Sequence, residues 1–198
     1  MVNYSGTGSA RNISHNLGVA PEMMWIKRRD TTGSWAVFHK DLNTTSGEKL
    51  NLNSSSAVST NTGFFNSTVP TSSVFTVGTS NNTNASSGTY IAFLFATLAG
   101  ISKVGSFTGT AATQTIDCGF SSGARFVLIK ETNTTGGWMV FDTVRGIVSG
   151  NDARLELDNT DAESTSFDIL DPHSSGFQLP SSSFVNASGR ECIFYAIA

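Results

Sequence analysis

The stretch Thr31-Thr32-Gly33-Ser34-Trp35-Ala36-Val37-Phe38 returns as Thr134-Thr135-Gly136-Gly137-Trp138-Met139-Val140-Phe141, about 103 positions later. Each copy follows an apolar, β-prone run, Met23 to Arg29 in one case and Phe126 to Glu131 in the other. Two such runs joined by a short turn containing Gly predict a β-hairpin. Upstream of it, Tyr4-Ser5-Gly6-Thr7 falls on Phe107-Thr108-Gly109-Thr110, and Trp25-Ile26-Lys27 falls on Leu128-Ile129-Lys130. Leu50-Asn51-Leu52 then matches Leu155-Glu156-Leu157, Pro70 to Phe75 matches Pro172 to Phe177, and Asn84-Ala85-Ser86 matches Asn186-Ala187-Ser188. An ordered self-match of this length predicts two tandem copies of one unit. The expected fold is all-β, with two homologous β-sandwich units over residues 1–99 and 100–198.

Composition supports strands and turns. Val, Ile and aromatic runs alternate with Ser, Thr, Asn and Gly clusters along the chain of 198 residues. Charged residues are only 14% and aromatics reach 10%, which excludes a disordered chain. No window shows a sustained helical period; Ser54 to Phe65 and Asn159 to Ile169 are the candidates for a short helix. A net charge of −3 offers no electrostatic footprint for nucleic acid. The longest apolar run, Tyr90 to Ala96, is far shorter than the ~20 residues a membrane helix needs. A soluble protein without membrane insertion is expected, and no signal peptide is visible at the start. Cys118 and Cys192 permit one bridge; the expectation is two reduced thiols behaving as small hydrophobes.

Catalytic candidates are scarce. His15, His39 and His173 each lack a His at the matching place in the other half, so they are expected to be solvent-facing or local. There is no zinc-protease His pair, no nucleophile elbow and no phosphate loop; Gly6-Thr7-Gly8 is expected to be a turn. Residues 1–100 carry +2 and residues 101–198 carry −5, the excess lying in Asp152, Glu156, Asp158, Asp161, Glu163, Asp168 and Asp171. Calcium favours clustered oxygen ligands and paired carboxylates hydrolyse glycosides. The spacing matches neither pattern, and a solvated acidic loop is the expectation. Trp35 and Trp138 recur, which predicts core positions on equivalent strands, and Trp25, matched by Leu128, is expected to be buried too. Lys27 and Lys130 recur inside strands, where a long stem covers a ring while the ammonium reaches water. Asn-x-Ser/Thr matches such as Asn12 and Asn66 follow from composition. No cofactor and no particular ligand-binding residue is indicated.

The phrase from Tyr4 to Met23, with Trp35 to Leu42, Pro70 to Thr79 and Asn84 to Ala96, resembles a repeat of unassigned function found in structural and tail-fibre-like proteins of tailed bacteriophages. Gly105-Ser106-Phe107-Thr108-Gly109 and Asn186-Ala187-Ser188-Gly189 look like its second copy, so the likeness covers essentially the whole chain. The resemblance implies a non-enzymatic virion protein at the particle surface, assembled in the host cytoplasm. Its role would be a tail-fibre-type attachment module that contacts host glycan or protein. The alternatives are a capsid or tail decoration protein and, as a minor one, a carbohydrate-active depolymerase. Other virion proteins are the implied partners, with a homo-oligomer, a trimer in the case of a fibre. The family supplies no catalytic residue to carry over.

Overall fold

Both hairpins form where the Gly-containing turns sit. β3 (Met23–Arg28) pairs antiparallel with β4 (Ala36–His39), Ile26 opposite Ala36. β11 (Phe126–Glu131) pairs antiparallel with β12 (Trp138–Asp142), Ile129 opposite Met139. Alternation along these strands sends Met24, Ile26, Ala36 and Phe38 to one face, and Val127, Ile129, Met139 and Phe141 to one face in the second hairpin. The computed structural model describes residues 1–198.

The chain divides into two compact units, one of Met1–Asn53 with Val58–Ala96, the other of Ser54–Ala57 with Thr97–Ala198. In the first, β1 (Val2–Ser5), β5 (Glu48–Asn51), β6 (Ser59–Thr60) and β8 (Thr89–Phe95) complete a six-stranded sheet in the order β1-β8-β3-β4-β5-β6. β2 (Arg11–Ser14) and β7 (Val74–Val77) form a separate pair. Ile13, Phe75 and Val77 of that pair share one core with Met24, Ile26, Phe38 and Tyr90 of the large sheet, a sandwich-like arrangement. In the second unit, β9 (Ser102–Thr108), β13 (Leu155–Glu156) and β16 (Glu191–Ile197) give the order β13-β12-β11-β16-β9. β10 (Gln114–Asp117), β14 (Asp171–His173) and β15 (Gly176–Leu179) make the smaller sheet, and Phe177 and Leu179 join Val127, Ile129, Phe141 and Phe194 in its core. The structure is all-β apart from single turns of helix at Thr44–Ser46, Asn81–Asn84 and Phe184–Asn186. No helix is long and apolar enough to cross a membrane.

A buried Asn ties each unit together. Asn84 accepts from the Thr7 amide at 2.9 Å and donates to Ser9 O at 2.7 Å and Gly78 O at 2.6 Å. Asn186 accepts from the Thr110 amide at 3.1 Å and from Gln114 Nε2 at 2.6 Å, and donates to Ala112 O at 2.8 Å and Pro180 O at 3.0 Å. Both are fully buried, where a side chain with two donors and two acceptor sites is tolerated only if these are used.

Neither expected short helix is present. Ser54 to Phe65 holds β6 and an irregular turn that ends with Asn66 and Ser67 at φ 54° and 50°, and Asn159 to Ile169 is loop with one bridge at Ser164. Ser, Thr and Asn side chains there bond neighbouring backbone instead, as Asn61 Oδ1 does with the Gly63 amide.

Candidate functional site

The polar groups best arranged for a ligand lie in the second unit, where the chain between β13 and β14 folds back on itself. Arg154 and Ser164 exchange backbone hydrogen bonds at 2.8 and 3.0 Å, closing a loop over residues 155–163. Within it Asn159 Nδ2 donates to Glu156 Oε2 at 2.6 Å, and the Asp161 amide donates to Asn159 Oδ1 at 3.0 Å. Arg154 reaches Glu156 at 3.5 Å, while Arg145 anchors Glu163 at 3.2 Å. Arg154, Glu156, Asn159, Asp161, Ala162 and Ser164 line an open cavity of about 110 Å³.

Arg154 links that cavity to Phe167, which is 50% exposed, more than any other aromatic side chain of the protein. The Arg154 guanidinium lies 5.6 Å from its ring centre and 5.7 Å from that of Phe184, and the two rings meet edge-on at 5.9 Å. Such cation–π contacts favour a guanidinium, whose planar charge is weakly hydrated. Asp152 fixes the position of Phe167 from both sides. Its amide donates to Phe167 O at 2.9 Å, and its Oδ2 accepts from the Ile169 and Leu170 amides at 2.8 and 3.0 Å.

Asp152 corrects the solvated-loop expectation: it is 1% exposed, and burial pushes its carboxyl above the ordinary range although the Leu170 and Ile169 amides pull the other way. Burial and then the Asp171 charge push Asp168 up as well. Asp161 and Glu163 are exposed, and Glu156, Asp158, Asp168 and Asp171 are half-buried. No group of three or more His, Cys, Asp or Glu side chains is gathered to hold a metal ion.

Two histidines also depart from expectation. His15 is buried because both ring nitrogens are satisfied: Nε2 donates to Thr71 O at 3.1 Å, and Nδ1 accepts from the Leu17 amide at 3.2 Å, with the ring stacked on Phe75. His39 is buried on β4, its Nδ1 accepting from the Asp41 amide at 3.2 Å. His173 is half-buried and bonds Ser175 locally. Trp138 is 1% exposed on β12, but Trp35 precedes β4 and is half-buried, with the Lys27 ammonium 5.8 Å above its ring. Trp25 is half-buried as well, against Phe95. Lys130, expected to reach water, is 0% exposed; its ammonium donates to Glu131 O at 2.6 Å and Ser55 O at 3.3 Å. Burial lowers the pKa of Lys130 and raises that of Glu131.

Cys118 and Cys192 are free and buried, and burial pushes both thiols up to about 12. At neutral pH they are protonated and unreactive. Arg154 and Phe167 carry no motif that marks them in the sequence. The one signal was an aromatic placed between Ser166 and Asp168, in a segment with no strand alternation to bury it.

No curated protein and no solved structure matches the chain. A family model described as a domain of unknown function (DUF7483) matches residues 1–198. The match spans the entire sequence, and the chain therefore belongs to the DUF7483 family.

Proposed function

We propose that the chain is a non-enzymatic virion protein of a tailed bacteriophage, a tail-fibre-type or surface attachment module that contacts the host surface. The observation that carries this reading is the contrast between scaffold and loops. Two sandwich-like cores hold strands whose register is set by buried apolar faces, and the polar, aromatic and charged groups suited to a ligand sit on the 144–168 loops. Recognition on loops over a rigid scaffold is the common arrangement. The resemblance of the Tyr4 to Met23 phrase to phage structural repeats supplies the virion context. The buried histidines and high-pKa thiols argue against nucleophilic work, since nothing activates them.

The two units are also, on this reading, copies of one module. The corresponding strand orders and the matched hydrogen bonds of Asn84 and Asn186 support it. Particles labelled with gold-conjugated antibody against this protein are the test. Label at the tail tip or fibres is expected; label spread over the capsid shell favours the decoration role, and particles free of the protein defeat both.

A further inference from the structure

We propose that the corner formed by Arg154 and Phe167 is a saccharide subsite for a neutral sugar ring; this rests on the attachment reading above and gives it a site. Most of the protein's aromatics bury their surface, and Phe167 alone is left 50% exposed, although Arg154 and Phe184 already hold it in one orientation. A ring fixed by a cation on one side and an edge contact on another offers its open face without an ordering cost on binding. The axial C–H face of a pyranose is an apolar surface of matching size.

The cavity that Arg154 shares supplies the second half of the match. It is about 110 Å³ and open, room for one edge of a sugar ring and its hydroxyls and not for a folded peptide. Its walls are polar: a guanidinium, two carboxylates, an amide and a hydroxyl, from Arg154, Glu156, Asp161, Asn159 and Ser164. Several are already ordered by one another, through Arg154 to Glu156 at 3.5 Å and Asn159 to Glu156 at 2.6 Å. Apolar body with a few fixed polar groups is the usual makeup of a small-ligand site. One cation against two carboxylates disfavours sialic acid, uronic acid and sulfated sugars, which leaves neutral hexoses and N-acetylhexosamines.

The test uses the full-length protein on a printed array of neutral, sialylated and sulfated oligosaccharides, followed by calorimetric titration of the strongest neutral ligand. Binding to neutral glycans is expected, and Phe167→Ala should weaken it by about tenfold or more. Phe167→Tyr should retain it. Val69→Ala, at an exposed position of the first unit, should leave it unchanged. The far-UV circular dichroism of each variant establishes that the fold is kept. Absence of neutral-glycan binding, a preference for acidic glycans, or equal affinity in Phe167→Ala overturns the subsite. Glycan binding that survives Phe167→Ala would remove this site and leave the attachment reading standing. Binding that depends on Phe167, in a protein absent from particles, would do the reverse.

Discussion

Asp152 shows how a single carboxylate can organise a loop at a cost. Its Oδ2 takes the Ile169 and Leu170 amides, the Val148 amide also favours the charged form, and burial outweighs all three. Because its pKa is raised in the folded state, the unfolded chain ionises first as pH climbs past the ordinary value of 3.8. Stability falls through that window until the native carboxyl ionises too, and the deficit then stays constant. Asp152→Asn removes the deficit and keeps an oxygen for the Ile169 and Leu170 amides. Thermal melts should therefore place the Asn variant level with wild type at low pH and progressively above it towards neutral. Asp152→Ala, which strands both amides, should lose about 2–4 kcal/mol at any pH. An Asn variant that falls behind wild type as pH rises would show that the charge is stabilising.

The buried asparagines carry a second residue-scale prediction. Asn84→Ala leaves the Thr7 amide and the Gly78 carbonyl unpaired and takes one of two donors from the Ser9 carbonyl. Asn186→Ala leaves the Thr110 amide unpaired and takes one of two donors each from the Ala112 and Pro180 carbonyls. Each should cost about 3 kcal/mol in chemical denaturation, and the two losses should be similar. A loss confined to one of them would undercut the idea that the units are copies. At this scale the sequence was least legible. Repetition marks Asn84 and Asn186 as a matched pair, but nothing in the sequence tells a buried lock from a turn residue. His15 and His39 look peripheral in sequence because neither has a counterpart, whereas His15 is buried with its nitrogens on the distant Thr71 carbonyl and the nearby Leu17 amide.

Among elements, strands were the legible part. The Met23 to Lys40 hairpin and its Phe126 to Thr143 counterpart follow from β-branched and aromatic runs around a Gly-containing turn, and the observed registers agree. The loop that presents Phe167 was not legible. Its path depends on the Arg154–Ser164 bridge and on Asp152, contacts with no periodic trace in sequence. The start of each unit depends on a close backbone approach. A Cβ on Gly6 would overlap the Ala85 carbonyl oxygen, and one on Gly109 would overlap that of Ala187. Both glycines are buried and their amides bond Gly88 O and Arg190 O at 2.7 Å. Gly6→Ala and Gly109→Ala should each destabilise by about 3 kcal/mol or more, because backbone on both sides must move. A denaturation midpoint within error of wild type would mean that the approach is looser than these contacts.

For the whole molecule, the division of the chain predicts how it unfolds. Residues Ser54–Ala57 lie in sequence between β5 and β6 of the first unit yet belong to the second. There the Ser55 carbonyl takes the Gly136 amide at 2.9 Å and the Lys130 ammonium, whose burial makes a lost acceptor costly. The chain thus leaves and re-enters the first unit through a segment of the second, and the expectation to be tested is that both melt in one transition. The sequence contains its own reporters. Both thiols, Cys118 and Cys192, belong to the second unit, and both are buried with pKa values pushed up to about 12, so they stay silent until that unit opens. Trp25 and Trp35 belong to the first, and Trp138→Phe leaves fluorescence reporting on that unit alone. In urea, thiol labelling and tryptophan emission of that variant should give coincident midpoints, the mark of a two-state process. Thiols that label well before the tryptophan signal moves would mean that the units open separately and that Ser54–Ala57 is a detachable tether.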